Sequence, residues 1–103
     1  MLEKMMNSIH ELKTINRYWD ALEAGTKTFE VRKNDRAFQT GDVIVLTRTR
    51  ENGSYDTRPQ DRGGEFSRSQ ISFRITYLLQ GGQFGIEAGY CVLGLGPVER
   101  STT

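Results

Sequence analysis

Apolar and polar residues alternate along several stretches of this chain, and each alternation predicts a β-strand. The clearest runs from Ser69 to Leu79, where apolar or aromatic residues occupy every second position. A period of two places them on one side of a strand and the polar residues on the other. The stretch is long for a strand, so we expect it to twist or bulge around a small barrel. The residues expected to face inward are Ile71, Phe73, Ile75, Tyr77 and Leu79.

Other segments predict shorter strands. The near-continuous apolar run at 43–47 is typical of a buried strand, and residues 90–95 are expected to close the core. Residues 8–15 alternate too, but neither face is purely apolar, which favours a position at a barrel rim. About five or six strands with one main helix predict a mostly-β (α+β) domain folded as a small barrel.

The one predicted helix covers residues 16–24. Asn16 is a favourable N-cap, and Gly25 stands where a left-handed residue commonly ends a helix. Tyr18, Trp19 and Leu22 form an apolar stripe along it. For Tyr18 and Trp19 this stripe favours core packing, with base stacking as the alternative.

The strand that follows the helix concentrates the charged residues. Lys27, Phe29 and Val31 point one way, whereas Glu30 and Arg32 point the other. We expect Phe29 and Val31 on the core side. Glu30 and Arg32 should then share the face of a cleft, with Lys27 at its mouth.

Length and composition limit the class of protein. The 103 residues suit one domain, and the net charge of +1 gives no general electrostatic argument for nucleic acid. Ten arginines against four lysines slightly favour bidentate contacts to phosphates and base edges, with compositional drift in the source genome as the alternative. A single cysteine and the lack of a long apolar run indicate a cytoplasmic protein without a membrane partner. We expect a loose leader at 1–7, the domain at 8–95 and a flexible tail at 96–103.

Other reactive groups suit structural roles better than catalytic ones. His10 is the only histidine, and Cys91 lies within an apolar run. The glycine-rich segment 81–89 lacks the spacing of a phosphate-binding loop. Neither a cofactor nor a metal site is therefore predicted. Residues 56–68 mix basic and acidic side chains, so we expect an extended, mobile loop there.

Several short motifs, spread over most of the chain, occur together. They are His10-Glu11-Leu12-Lys13, Gly25-x-Lys27, the run Phe29 to Arg36, Phe38-x-x-Gly41-Asp42 and Gly89-Tyr90-x-Val92-Leu93. With this combination the chain resembles the DUF3850 family, a branch of the ASCH domains in the PUA-like superfamily. The resemblance covers about residues 8–48 and 69–95 and departs at 56–68. It implies a PUA-like pseudo-barrel whose cleft, beside the Gly-x-Lys strand, binds RNA or a modified base.

The first functional hypothesis is a non-catalytic module that binds RNA or a modified nucleoside in a cationic cleft beside strand 27–32. Cationic side chains would contact phosphates or base edges, and aromatic rings would stack an unpaired base. Glu30 would orient Arg32 or accept a hydrogen bond from a base amino group. The residues assigned to this site are Lys27, Glu30, Arg32, Arg36 and Tyr18, with Tyr55 as a further stacking candidate.

The alternative is a small amidohydrolase acting on an acylated nucleoside such as N4-acetylcytidine. Some ASCH proteins similar to this one use a lysine, a threonine and a glutamate for that reaction. Lys27 matches the lysine, but Glu30 stands where the threonine is expected. Thr28 is nearby but points to the opposite face of the strand from Lys27. Glu87 matches the glutamate only loosely. Lys27 and Glu30 are thus the catalytic candidates.

A third interpretation needs no ligand. Glu30, Arg32 and Arg36 would form a surface ion-pair ladder that joins the strand to the following turn. Exposed ion pairs of this kind contribute little to stability.

Overall fold

The computed structural model describes residues 7–59 and 66–98, which form seven strands and one helix. The predicted leader, except for Asn7, and the tail beyond residue 98 lie outside the described residues. In chain order the elements are β1 (Ile9–Ile15), α1 (Asn16–Ala24), β2 (Phe29–Lys33), β3 (Val43–Thr49), β4 (Arg58–Pro59), β5 (Phe66–Ser67), β6 (Gln70–Gln80) and β7 (Tyr90–Gly96).

Five of the strands make one sheet in the order β1-β3-β6-β7-β2. β1 pairs with β3 in parallel, and the other neighbours are antiparallel. The sheet curls into a half-barrel with the edge strands β1 and β2 facing each other. A mostly-β domain with one main helix is therefore confirmed. β4 and β5 form a separate two-stranded ribbon within the predicted loop.

The core fills the inside of this curl. Ile44, Leu46, Ile75 and Leu93 are fully buried there. Helix α1 covers them with two buried side chains, and the indole Nε1 of Trp19 donates a 2.9 Å hydrogen bond to the carbonyl of Leu46. Trp19 therefore packs in the core.

The predicted helix end is confirmed, but the predicted N-cap is wrong. Gly25 ends α1 with a left-handed φ of +83°. At the other end Ile15 occupies the cap position without a side-chain hydrogen bond. The amide of Asn16 instead donates to Asp56, 3.1 Å away in the loop after β3. The Asn16 side chain, which was predicted to cap the helix, is thus used in a tertiary hydrogen bond to Asp56 instead.

A bulge in β6 corrects one inward assignment. The register with β7 shifts between Ile75 and Tyr77, as expected for a strand this long. One extra residue reverses the alternation beyond it. Leu78, not Tyr77, consequently packs against the core, and Tyr77 is 67% exposed. Leu79, which was also expected to face inward, pairs with Val92 and shares the outer side with Tyr77.

The orientation predicted for β2 is reversed as well. Phe29 and Val31 are 44% and 52% exposed, whereas Glu30 is buried. Glu30 and Arg32 do share one face, but that face is the inside of the curl. Burying a charged group is costly unless it is paired, and the Glu30 carboxylate is paired with both Lys27 and Arg32. The outer face of β2 is accordingly the apolar one.

The described ends of the predicted loop 56–68 are tied to the domain. Arg48 on β3 forms ion pairs with Asp20 of α1 and with Asp56. Arg48 and Arg58 lower the pKa of the Asp20 carboxyl, mainly through the hydrogen bond from Arg48. Residues 60–65 of this loop lie outside the described part of the chain. Among the described residues no helix is long and apolar enough to cross a membrane.

Candidate functional site

A cleft of about 540 Å³ opens where β1 approaches β2 beside the start of α1. Its volume lies within the range of small-molecule sites. Four cationic side chains and one carboxylate line it, together with a hydroxyl and an apolar and aromatic wall. The lining residues are Lys13, Thr14, Ile15, Tyr18, Lys27, Phe29, Glu30, Val31, Arg32 and Lys33.

Glu30 is the centre of the cleft's polar cluster. Its carboxylate is 6% exposed and forms ion pairs with both Lys27 and Arg32. Arg32 donates to Oε2 from Nε at 3.2 Å and from Nη2 at 3.0 Å. A buried carboxylate is tolerated only when it is paired and hydrogen-bonded. Glu30 therefore holds two cations at fixed positions in the cleft.

Arg32 also joins the two walls of the cleft. Its Nη2 donates to the Lys13 carbonyl at 2.8 Å and to the Thr14 hydroxyl at 2.7 Å, both on β1. β1 and β2 are at opposite ends of the strand order, so this side chain bridges the opening of the half-barrel. Within residues 7–59 and 66–98, its Nη1 has no hydrogen-bond partner. One guanidinium nitrogen is left to donate to a ligand.

Lys27 is held between aromatic rings at the mouth of the cleft. Its Nζ lies 5.2 Å from the ring centroid of Tyr18 and 4.9 Å from that of Phe29. It donates to the Phe29 carbonyl at 2.7 Å as well as to Glu30. The ammonium is thus positioned by cation–π contacts, a carbonyl and a carboxylate.

The structure brings together four of the five residues predicted for the site. Tyr18, Lys27, Glu30 and Arg32 all line the cleft, and Arg36 does not. Arg36 donates to the Glu11 carbonyl at 3.3 Å and lies beyond the cleft. The surface ladder in which Arg36 joins Glu30 is not formed, since Glu30 is buried and its partners are Lys27 and Arg32.

Tyr55, the further stacking candidate, lies elsewhere. The Lys13 ammonium and the Arg68 guanidinium are 4.8 and 3.7 Å from its ring centroid. It lines a separate cleft of about 160 Å³. It therefore lies outside the cleft that contains Tyr18 and Lys27.

Sequence reasoning missed Thr14, which is buried and lines the cleft. Alternation placed Thr14 on the same side of β1 as His10 and Leu12, but not opposite Arg32. That neighbour depends on the curl of the whole sheet. The hydroxyl expected from β2 for an amidohydrolase is thus present from β1. The Thr14 hydroxyl oxygen accepts a hydrogen bond from Arg32, a cation that cannot accept a proton.

The remaining reactive groups have structural partners. His10 Nε2 is 2.8 Å from the Asp42 carboxylate, and the His10 ring packs edge-on against Phe38. Burial raises the pKa of the Cys91 thiol and disfavours the reactive thiolate. Glu87 lies in the turn before β7, outside the cleft, where its carbonyl accepts from the Tyr90 amide.

Comparison with known proteins identifies the family. The chain is similar to the "Uncharacterized 12.9 kDa protein in GpA 3'region" of Escherichia phage P2, with 43% identity over 42 residues. That match covers 41% of this chain and 38% of the phage protein. The model of the family described as "Domain of unknown function (DUF3850)" matches residues 9–95, from the start of β1 almost to the end of β7. The chain therefore belongs to the DUF3850 family, as its motifs predicted.

Proposed function

We propose that this protein is an ASCH/PUA-like module that binds single-stranded RNA or a modified nucleoside in the cleft between β1 and β2. One observation carries the proposal. The buried carboxylate of Glu30 holds Lys27 and Arg32 in a single cleft beside the Tyr18 and Phe29 rings. Cations fixed in advance lose little conformational entropy when they bind an anion.

The chemistry of the cleft matches that of a nucleotide. Its lining carries four cations against one carboxylate, which favours a phosphate group. Arg32 offers a guanidinium nitrogen to a phosphate or base edge, and the exposed part of the Tyr18 ring offers a surface for stacking. The apolar wall of Ile15 and Val31 would exclude water from one side of the ligand.

A salt-dependent titration with single-stranded RNA tests the proposal. Lys33→Ala removes a cation from the lining, and Arg36→Ala removes a cation from outside it. We expect Lys33→Ala to weaken binding and to reduce the salt slope by about 0.7 if Lys33 meets a phosphate. Arg36→Ala should bind like the parent.

Arg32→Ala tests the centre of the site. It should abolish most binding, whereas Arg32→Lys should retain the electrostatic part because it keeps a charge near Glu30. Since Arg32→Ala leaves Glu30 with one partner, a melting curve must show that the variant is folded. Parent protein that binds neither RNA nor nucleosides, or binding independent of salt and of Lys33 and Arg32, would refute the proposal.

The second candidate is an amidohydrolase, favoured by Thr14. Its buried hydroxyl lies in the same cleft as Lys27 and Glu30. Deprotonation of the Thr14 hydroxyl would require the ion pair between Lys27 and Glu30 to break, so that one of the two could approach Thr14. Incubation with N4-acetylcytidine should then release cytidine and acetate, and Thr14→Val should stop the release. No turnover at high protein concentration would leave binding as the function.

A further inference from the structure

Outward-facing residues of β2, β7 and β6 form an apolar and aromatic surface on the convex side of the sheet. Gly94 on β7 lies opposite Phe29 on one side and Tyr77 on the other. Directly opposed residues of antiparallel strands project to the same face. The next row contains Val31 and Val92. Both aromatic residues are well exposed, and the bulge in β6 is what turns Tyr77 outward.

The central row forms a slot with two aromatic walls and a glycine floor. Phe29 and Tyr77 are two inter-strand spacings apart, about 9.6 Å. Side chains stand roughly perpendicular to a sheet. Stacked rings lie about 4.5–7 Å apart between centroids, so one planar ring placed between two others needs about 9–14 Å. The slot therefore has the width of one additional aromatic ring.

Gly94 keeps this slot open. A Cβ at this position would lie 3.5 Å from the Cβ of Tyr77 and 3.5 Å from the hydroxyl oxygen of Thr76. These are ordinary contact distances, so a side chain here fits but occupies the floor of the slot. The Thr76 hydroxyl also offers a hydrogen-bonding group at the floor.

Phe29 connects the slot to the cationic cleft. It lines the cleft, and the Lys27 ammonium lies 4.9 Å from its ring centroid. Lys27 contacts one side of this ring, and Phe29 as a whole remains 44% exposed. Lys33, which also lines the cleft, follows Phe29 and Val31 along the outer face of β2. The aromatic slot thus continues a surface that carries positive charge.

We propose that the slot takes one unpaired base of a single-stranded RNA, stacked between Phe29 and Tyr77 over Gly94, next to the nucleotide in the cleft. This inference rests on the proposed function, since the cleft anchors the strand. A nucleobase is planar, matches the slot's width and is attached to a phosphate that the neighbouring cations attract. The protein therefore holds two consecutive nucleotides by different means: one by charge in the cleft, one by stacking on the sheet.

Binding measurements on oligonucleotides and mononucleotides separate the slot from the cleft. Parent, Tyr77→Ala and Gly94→Val are titrated with a short unstructured RNA and with a single nucleotide. Tyr77→Ala should weaken oligonucleotide binding by about 5- to 150-fold, the usual effect of removing one stacking ring. It should leave the salt slope and the affinity for the mononucleotide unchanged. Gly94→Val should act like Tyr77→Ala because valine suits a strand but fills the slot.

Two controls distinguish stacking from loss of structure. Tyr77→Phe keeps the ring and should bind like the parent. Phe84→Ala removes an aromatic side chain that is 83% exposed, in the turn between β6 and β7, and should also bind like the parent. A 2-aminopurine in the oligonucleotide should lose fluorescence on binding to the parent and keep it on binding to Gly94→Val.

The outcomes separate the two proposals. If Arg32→Ala loses binding while Tyr77→Ala and Gly94→Val bind the oligonucleotide like the parent, the slot is refuted and the cleft stands. If the parent binds no RNA, the slot fails together with RNA binding in the cleft. Sedimentation measures the oligomeric state of the parent and of Gly94→Val. If the parent is a dimer and Gly94→Val is a monomer, this face is an interface between two copies of the chain and the inference is overturned.

Discussion

Replacing Glu30 with glutamine tests whether this one carboxylate holds the cleft together. The change keeps the shape of the side chain and removes its charge. Lys27 and Arg32, whose side chains are 18% and 22% exposed, then face each other without a counter-ion. Removing one partner of a buried ion pair typically costs about 3–5 kcal/mol.

The lower part of that range applies here. Both cations keep some contact with water, and Arg32 keeps its hydrogen bonds to Lys13 and Thr14 on β1. We therefore expect Glu30→Gln to lower the free energy of unfolding by about 3 kcal/mol. For a domain of this size the melting temperature should fall by about 10–20 °C.

Urea unfolding at neutral pH, followed by circular dichroism, measures this loss. Glu51→Gln is the matched control because Glu51 pairs with Arg17 and both side chains are more than half exposed. Such an exposed pair contributes little to stability, so the control should unfold nearly like the parent. A Glu30→Gln variant as stable as Glu51→Gln would refute the role assigned to the buried carboxylate.

Three further predictions concern the rest of the fold. The pKa of Asp20 is lowered in the folded protein from its ordinary value of 3.8, chiefly by the hydrogen bond from Arg48. As the pH falls, the unfolded chain therefore binds a proton at Asp20 before the folded protein does, so this stabilisation is complete above about pH 5 and disappears as the pH falls through the folded pKa. Asp20→Asn should flatten the acid limb of a stability–pH curve, and an unchanged acid limb would contradict this. Gly81→Ala should be strongly destabilising in thermal melts, since a Cβ there would overlap with the carbonyl oxygens of Glu87 and Tyr90. Gly94→Ala, whose Cβ would have only contacts of 3.5 Å or more, should melt near the parent. Cys91 should react with a thiol reagent only at the rate of unfolding because its side chain is buried; fast labelling of native protein would refute that placement.

Much of the candidate site was predictable because its residues are neighbours in sequence. Lys27, Glu30 and Arg32 lie within six positions of the chain, and a period of two already placed Glu30 and Arg32 on one face. Thr14 was not predictable as their partner. It comes from β1, and the two edge strands meet only because the sheet between them curls.

The sequence by itself determined the local elements and the family of this protein. The helix at 16–24, the left-handed Gly25 and the main strands follow from short-range periodicity and turn chemistry, which involve only neighbouring residues. Tertiary structure decided which side of each strand is inside. Alternation states which residues share a face but not which face is buried, and a single bulge reverses it. In β2 the buried face is the charged one, because Glu30 finds its counter-ions there, and the outer face is left apolar.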